Sequence, residues 1–105
     1  SLRRGAAEAL EVIAHGDAKS SQVVGRRIEQ VDLPRGATIG AIVRPAAEDV
    51  LLAARRGPRE QAPAEVIIAH HDVVINSGDH LIVFVENRRI ISKIEKLFQV
   101  NVGFF

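Results

Sequence analysis

The chain has 105 residues, a formal net charge of +1 and no cysteine, so it is most simply a single domain without disulfide bonds or a cysteine-ligated zinc site. Aromatic residues make up only 4% of the chain, and the balanced charge gives no general positive field, which together argue against nucleic-acid binding. No apolar run approaches the roughly 18–20 residues needed to span a bilayer.

The first predicted element is ambiguous. The apolar run from Leu10 to Ala14, which is followed by Gly16, is compatible with a short strand. The alanine-rich stretch from Ala6 to Leu10 is equally compatible with a helix. The residues alone leave both possibilities open.

A helix is predicted over Ser21–Val31. Ser20 or Ser21 can cap it by accepting a hydrogen bond from a backbone N–H of the first turn. Pro34 ends the segment, because the residue before a proline is pushed out of the helical region. The helix would carry one apolar stripe at a spacing of 3.6 residues per turn, formed by Val23, Val24, Ile28 and Val31.

The second half of the chain predicts three strands and a final helix. The strands are apolar on both faces and are therefore typical of buried strands; they run from Thr38 to Val43, from Val66 to Ala69 and from Leu81 to Val85. The polar turn Asn76–Asp79 precedes the last strand, and Asn87 caps a helix over Asn87–Phe98. Together these elements predict an α+β, two-layer domain with a small mixed or antiparallel sheet of about four to five strands and two helices.

Residues 45–64 predict an insertion loop within this single domain of residues 1–105. The segment opens with Pro45, closes around Pro63 and contains Gly57-Pro58, so its flanks are typical of loops. Asp49 to Arg56 can form a short helix or strand within it.

The doubly apolar strands also predict self-association. Two helices of about ten residues each can cover one face of a small sheet, and a chain of this length has little left to cover the other. We therefore expect a homodimer, with Ile82 and Phe84 of the all-apolar strand in its interface.

No catalytic constellation is predicted. The chain contains neither a nucleophile elbow nor a glycine-rich phosphate-binding motif, and Gly36 and Gly40 are expected to serve a turn and close backbone packing. His70-His71-Asp72, with His80, is the one pattern that suggests a metal site. Adjacent residues of a strand point to opposite faces, so His70 and His71 are not expected to bind one ion.

Four blocks of the sequence resemble, in wording and order, the C-terminal regulatory domain (RCK C-terminal domain) of the TrkA-type potassium-uptake proteins. The blocks are RRGAAEALEVIAHG, VVGRRIEQVDLPRGATIGAIVR, IAHHDVVINSGDHLIVFV and IEKLFQV. The likeness covers the whole chain apart from the 45–64 insertion. The closing Phe104-Phe105 also resembles the natural end of proteobacterial members, so we expect the chain to be the last part of a longer parent.

The resemblance implies a cytoplasmic regulatory domain that forms homodimers and couples ligand state to potassium transport. It would lie peripheral to the inner membrane, and its partners would be a second copy, the Trk membrane potassium-translocating subunit and the Rossmann domains of the same parent chain. The resemblance implies no cofactor in this chain; NAD or ATP is expected only at those Rossmann domains. Some relatives bind cyclic di-AMP or divalent cations, but Thr38 stands at the approximate position of their ligand-binding asparagine, so no ligand residue is carried over.

Two other functions stay open at this point. One is a pure dimerisation module that binds no ligand. The other, from a different class, is a small metal-binding protein or metal-dependent enzyme that uses His70, His71 and His80.

Overall fold

The computed structural model describes residues 7–46, 50–57 and 63–100. Within them, four strands form one antiparallel sheet in the order β1-β4-β2-β3: β1 (Glu8–Ile13), β2 (Ala37–Pro45), β3 (Ala64–Ile68) and β4 (His80–Val85). Helix α1 (Val50–Arg55) lies between β2 and β3, and helix α2 (Ile91–Leu97) follows β4. Two short 3-10 turns cover Ile28–Gln30 and Arg88–Ile90. The predicted α+β class is confirmed.

The core lies on one side of the sheet, called here the inner face. Leu81, Val83 and Val85 alternate along β4 and are buried there, because successive side chains of a strand point to opposite faces. Ile94 and Leu97 of α2 belong to the same buried cluster. The sheet and the C-terminal helical segment therefore form the two layers.

The N-terminal ambiguity is resolved in favour of a strand. β1 pairs with β4 over its whole length, from Glu8 opposite Val85 to Ile13 opposite His80. Its side chains alternate between half-buried and exposed, as expected for an edge strand with one covered face.

The predicted C-terminal helix is confirmed, with a 3-10 first turn. The side chain of Asn87 accepts a hydrogen bond of 2.9 Å from the backbone N–H of Arg89. The predicted apolar stripe faces the core: Ile90, Ile94, Leu97 and Phe98 are buried, and Ile91 is partly buried. Within the described ranges, the helices lack the length and hydropathy of a membrane span.

The helix predicted over Ser21–Val31 is wrong. Only Ile28–Gln30 forms a 3-10 turn, and Gly25 has a φ of 85°, which breaks a right-handed helix. The backbone bonds a distant segment instead: Gly25 N–H donates to Ile75 O at 2.8 Å and Ile75 N–H donates to Arg26 O at 2.9 Å. The apolar stripe is nonetheless real, because Val23, Val24 and Val31 are buried and Ile28 is half-buried.

The predicted serine cap serves a turn rather than a helix. Ser21 Oγ accepts hydrogen bonds of 3.0 Å from the N–H groups of both Val23 and Val24, and Ser21 is itself buried. Arg26 then ties the loop together, since its Nη1 lies 2.8–3.0 Å from the carbonyl oxygens of Ala18, Ser21 and Val24.

The segment predicted as an insertion connects β2 to β3. Its central part is helical, which settles the choice between helix and strand, and Leu51 of α1 is exposed. Residues 47–49 and 58–62 of this segment, and the closing Phe104-Phe105, lie outside the described residues.

Candidate self-association surface

Three rows of side chains cross the sheet on the face opposite the core, called here the outer face. The strand registers align Ala9, Phe84 and Thr38 in one row. The middle row is Glu11, Ile82, Ala41 and Ile68, and the last is Ile13, His80, Val43 and Val66. Most of these side chains are apolar, although the face points away from the core. Predicted interface residues Ile82 and Phe84 both lie on this face, in neighbouring rows.

Four large apolar side chains of the outer face are exposed. Phe84 has 51% of its surface accessible, Ile68 61% and Val66 68%, and Ile13 is also exposed. Ile82 is half-buried, because it lies in the middle row between neighbours from both adjacent strands. Contiguous exposed apolar surface of this kind is characteristic of interaction sites.

Gly40 gives the outer face part of its shape. The β2–β4 register shifts between Ile39 and Ala41, so Gly40 forms a bulge in β2. The ring of Phe84 occupies the space above it: a Cβ on Gly40 would clash with Phe84 Cε2. The predicted role of Gly40 in close backbone packing is confirmed, and that of Gly36 in a turn agrees with its φ of 92°.

Two polar side chains of the face, His80 and Glu11, pair with each other. His80 Nδ1 lies 2.8 Å from Glu11 Oε2, diagonally across the β1–β4 pair. Both side chains are partly exposed, at 35% and 55%. The outer face therefore has an apolar surface and a paired polar group, a composition common in protein interfaces.

The histidines considered as metal ligands are separated by the fold. His70 and His71 follow β3 in an exposed turn rather than lying within a strand, whereas His80 begins β4 and contacts Glu11. Val73 N–H donates to the carbonyl oxygen of His70, and Glu29 N–H donates to that of His71. Across the described ranges, no three His, Cys, Asp or Glu side chains lie close enough together to hold a metal ion.

The turn before β4 is anchored by an ion pair that the sequence did not reveal. Arg44 Nε and Nη2 each donate a 2.9 Å hydrogen bond to the carboxylate of Asp79, which is 1% exposed. The backbone N–H of Asn76 donates a third bond to Asp79 at 2.8 Å, and Arg44 Nη2 also reaches the carbonyl oxygen of Val74. The hydrogen bonds that Arg44 donates to Asp79 raise the pKa of Arg44 above its usual value. The pair fixes the start of β4, and with it the outer-face rows, relative to β2.

Sequence reasoning also missed Ile13, Val66 and Ile68 as members of the outer face. The signal was present for Val66 and Ile68, because they occupy alternate positions of one strand, and Ile13 is an apolar residue at the end of β1. The sequence does not show which of the alternate residues of a strand are exposed. That requires the strand order, which places β1 and β3 at the two edges of the sheet.

No protein-family model matches the chain. Curated relatives do match it: the Trk system potassium uptake protein TrkA of Halomonas elongata is 53% identical over 105 residues, which is 100% of this chain and 19% of that protein. The proteins of the same name from Vibrio alginolyticus and Haemophilus influenzae are 46% and 37% identical over 104 and 103 residues, again 19% of their length. The chain thus spans about a fifth of the length of these relatives.

The similarity runs through every described strand and through α2, because it covers 98–100% of the chain. The resemblance stated from the four sequence blocks is confirmed. The chain belongs to the family of TrkA potassium-uptake proteins, as a segment matching about a fifth of their length.

Proposed function

We propose that this chain is a non-catalytic regulatory or assembly module of a Trk-type potassium-uptake system and that it acts as a homodimer. The names of its relatives support the potassium-uptake context. The observation that carries the dimer is the exposed apolar outer face of a sheet whose inner face carries the buried core.

A second copy of the chain is the occupant that this face suits best. Exposed Phe84, Ile68 and Val66 would lose their contact with water on pairing, and apolar burial is the main driving force of association. Glu11 is already paired with His80 inside the chain, so two outer faces can meet without burying an unpaired carboxylate. A self-complementary patch of this kind is expected for a two-fold symmetric dimer.

On this proposal, potassium transport is regulated by a change in how the two copies of the chain are arranged relative to each other. A ligand can act only by binding one arrangement more tightly than the other, which couples ligand state to potassium transport. The proposed partners are a second copy, the Trk membrane potassium-translocating subunit and the Rossmann domains of the same parent chain. The module would be cytoplasmic and peripheral to the inner membrane through the membrane subunit, and any NAD or ATP would belong to the Rossmann domains.

The alternative is a dimerisation module with no ligand of its own. It makes the same prediction for the outer face and differs only in ligand binding. Isothermal titration of the chain with cyclic dinucleotides, ATP, NAD and divalent cations separates the two. Heat that saturates with any of them favours the regulatory role, and flat titrations favour the pure dimerisation role.

The functional test is potassium uptake in cells whose longer parent protein carries Ile82→Glu or Phe84→Glu, after accumulation of the protein has been verified. A charge on the outer face should abolish or deregulate uptake, because a carboxylate buried in an apolar interface is strongly unfavourable. Gln99→Glu, at an exposed position beyond α2, is the matched control and should leave uptake unchanged. Normal uptake together with a disrupted dimer would contradict the proposed function.

A further inference from the structure

A groove of about 380 Å³ opens in the helical layer, between α2 and the segment that leads into β2. It is separate from the outer face, because α2 packs on the inner side of the sheet. Its lining consists of one glutamine, four charged residues and three apolar residues: Gln22, Asp32, Leu33, Pro34, Arg35, Lys93, Lys96 and Leu97.

The cations of this groove have no partner among the residues that the structure describes. Arg35, Lys93 and Lys96 are exposed, and none of their side chains forms an ion pair or hydrogen bond within the part of the chain that the structure describes. Other arginines behave differently: Arg44 is bonded to Asp79, and Arg88 to Glu8. Three unpaired cations against the single carboxylate of Asp32 give the groove a net charge of +2.

The remaining lining defines the kind of anion. Leu33 and Pro34 are half-buried and Leu97 is buried, so one side of the groove is apolar. Pockets for small molecules combine such apolar walls with a few polar groups and occupy roughly 300–1,000 Å³. A phosphate monoester carries about −1.5 to −2 charges at pH 7, which matches the groove. Lysine ammonium groups bind phosphate as point charges, and an arginine adds a bidentate contact.

We propose that this groove binds a small phosphate ester, with the phosphate held by Arg35, Lys93 and Lys96 and the organic part resting on Leu33, Pro34 and Leu97. The site does not depend on self-association, since the outer face lies on the other side of the sheet. Asp32 opposes binding electrostatically, so its charge should lower the affinity of the site for an anion.

The test is titration of the isotope-labelled 105-residue chain, followed by nuclear magnetic resonance, with inorganic pyrophosphate, ADP and citrate. We expect pyrophosphate to shift the resonances of Arg35, Lys93 and Lys96, ADP to bind more tightly than pyrophosphate, and citrate to bind more weakly than either. The variant with both Lys93→Ala and Lys96→Ala should weaken ADP binding on the order of tenfold. Lys19→Ala, which removes an exposed lysine outside the groove, should not change it.

Asp32→Asn supplies a test in the opposite direction, because removing the carboxylate should tighten ADP binding about threefold or more. Each substituted side chain is exposed, so the variants should keep the fold, which the dispersion of the spectrum verifies. The proposal is overturned if no phosphate probe binds at millimolar concentration, or if the shifts map elsewhere. It is equally overturned if citrate binds as tightly as ADP, or if the double lysine variant binds ADP like the wild type.

Discussion

The ring of Phe84 lies over Gly40, the bulged residue of the neighbouring strand. Any residue with a Cβ at position 40 would clash with this ring. The glycine keeps the ring close to the sheet, and the ring in turn forms part of the apolar surface that we assign to self-association.

Gly40→Ala should displace the Phe84 ring, because the added methyl group would clash with Cε2. In a Phe84→Ala background the same change should be nearly neutral, since the clash is gone. A double-mutant cycle measured by urea unfolding should therefore give a coupling free energy of about 1 kcal/mol between the two positions. Strict additivity of the two substitutions would contradict this contact.

Arg44→Met should lower the free energy of unfolding by about 3 kcal/mol, because it leaves the Asp79 carboxylate buried without its charged partner. The matched control is Arg27→Met, which removes an ion pair to Glu29 whose two side chains are 49% and 44% exposed. Exposed pairs contribute only about 0–1 kcal/mol. Equal losses from the two variants in chemical denaturation would show that Asp79 is solvated in the folded chain.

Ser21→Ala should destabilise the chain by about 1–2 kcal/mol, because the N–H groups of Val23 and Val24 lose their buried acceptor. Ser92→Ala, on the exposed side of α2, should be close to neutral. Thermal unfolding followed by circular dichroism compares the two variants. A neutral Ser21→Ala would mean that water replaces the hydroxyl group.

Asp17 should make the turn after β1 sensitive to acid. The backbone N–H of Ser20, followed by that of Lys19, donates to this carboxylate and lowers its pKa below the usual 3.8. A lowered folded-state pKa contributes stability that is present above pH 3.8 and disappears as the pH falls through the folded value. The stability difference between wild type and Asp17→Asn should therefore shrink on acidification below this point, and a carboxyl carbon titration should place the pKa of Asp17 below 3.8. A difference that is constant with pH would contradict the assignment.

The sequence predicts most of the sheet and the final helix because those signals are local. Leu81 to Val85 is apolar at every position, which predicts a strand with two apolar faces. In the structure Leu81, Val83 and Val85 are buried on one face, and Ile82 and Phe84 lie on the other. Asn87 caps the last helical segment through a side-chain bond that needs only nearby residues. The family resemblance rests on the same local blocks.

The errors arise where tertiary contacts outweigh local pattern. Val23, Val24, Ile28 and Val31 have helical spacing, yet Gly25 turns the chain and the backbone bonds the Val73–Ile75 segment instead. A buried loop and a helix can thus share one apolar pattern. The Arg44–Asp79 pair joins residues 35 positions apart, so only the fold can reveal it. The edge residues Val66 and Ile68 likewise became outer-face residues only once the strand order was known.

Sedimentation equilibrium of the chain and of its Phe84→Glu variant measures whether the outer face mediates self-association. We predict a wild-type dimer and a folded monomer for Phe84→Glu, because the exposed position tolerates a carboxylate in the monomer but not in an apolar interface. The control Gln99→Glu should remain dimeric. A wild-type chain that sediments as a monomer at every concentration, or a Phe84→Glu variant that dimerises like the wild type, would contradict the assignment of the outer face.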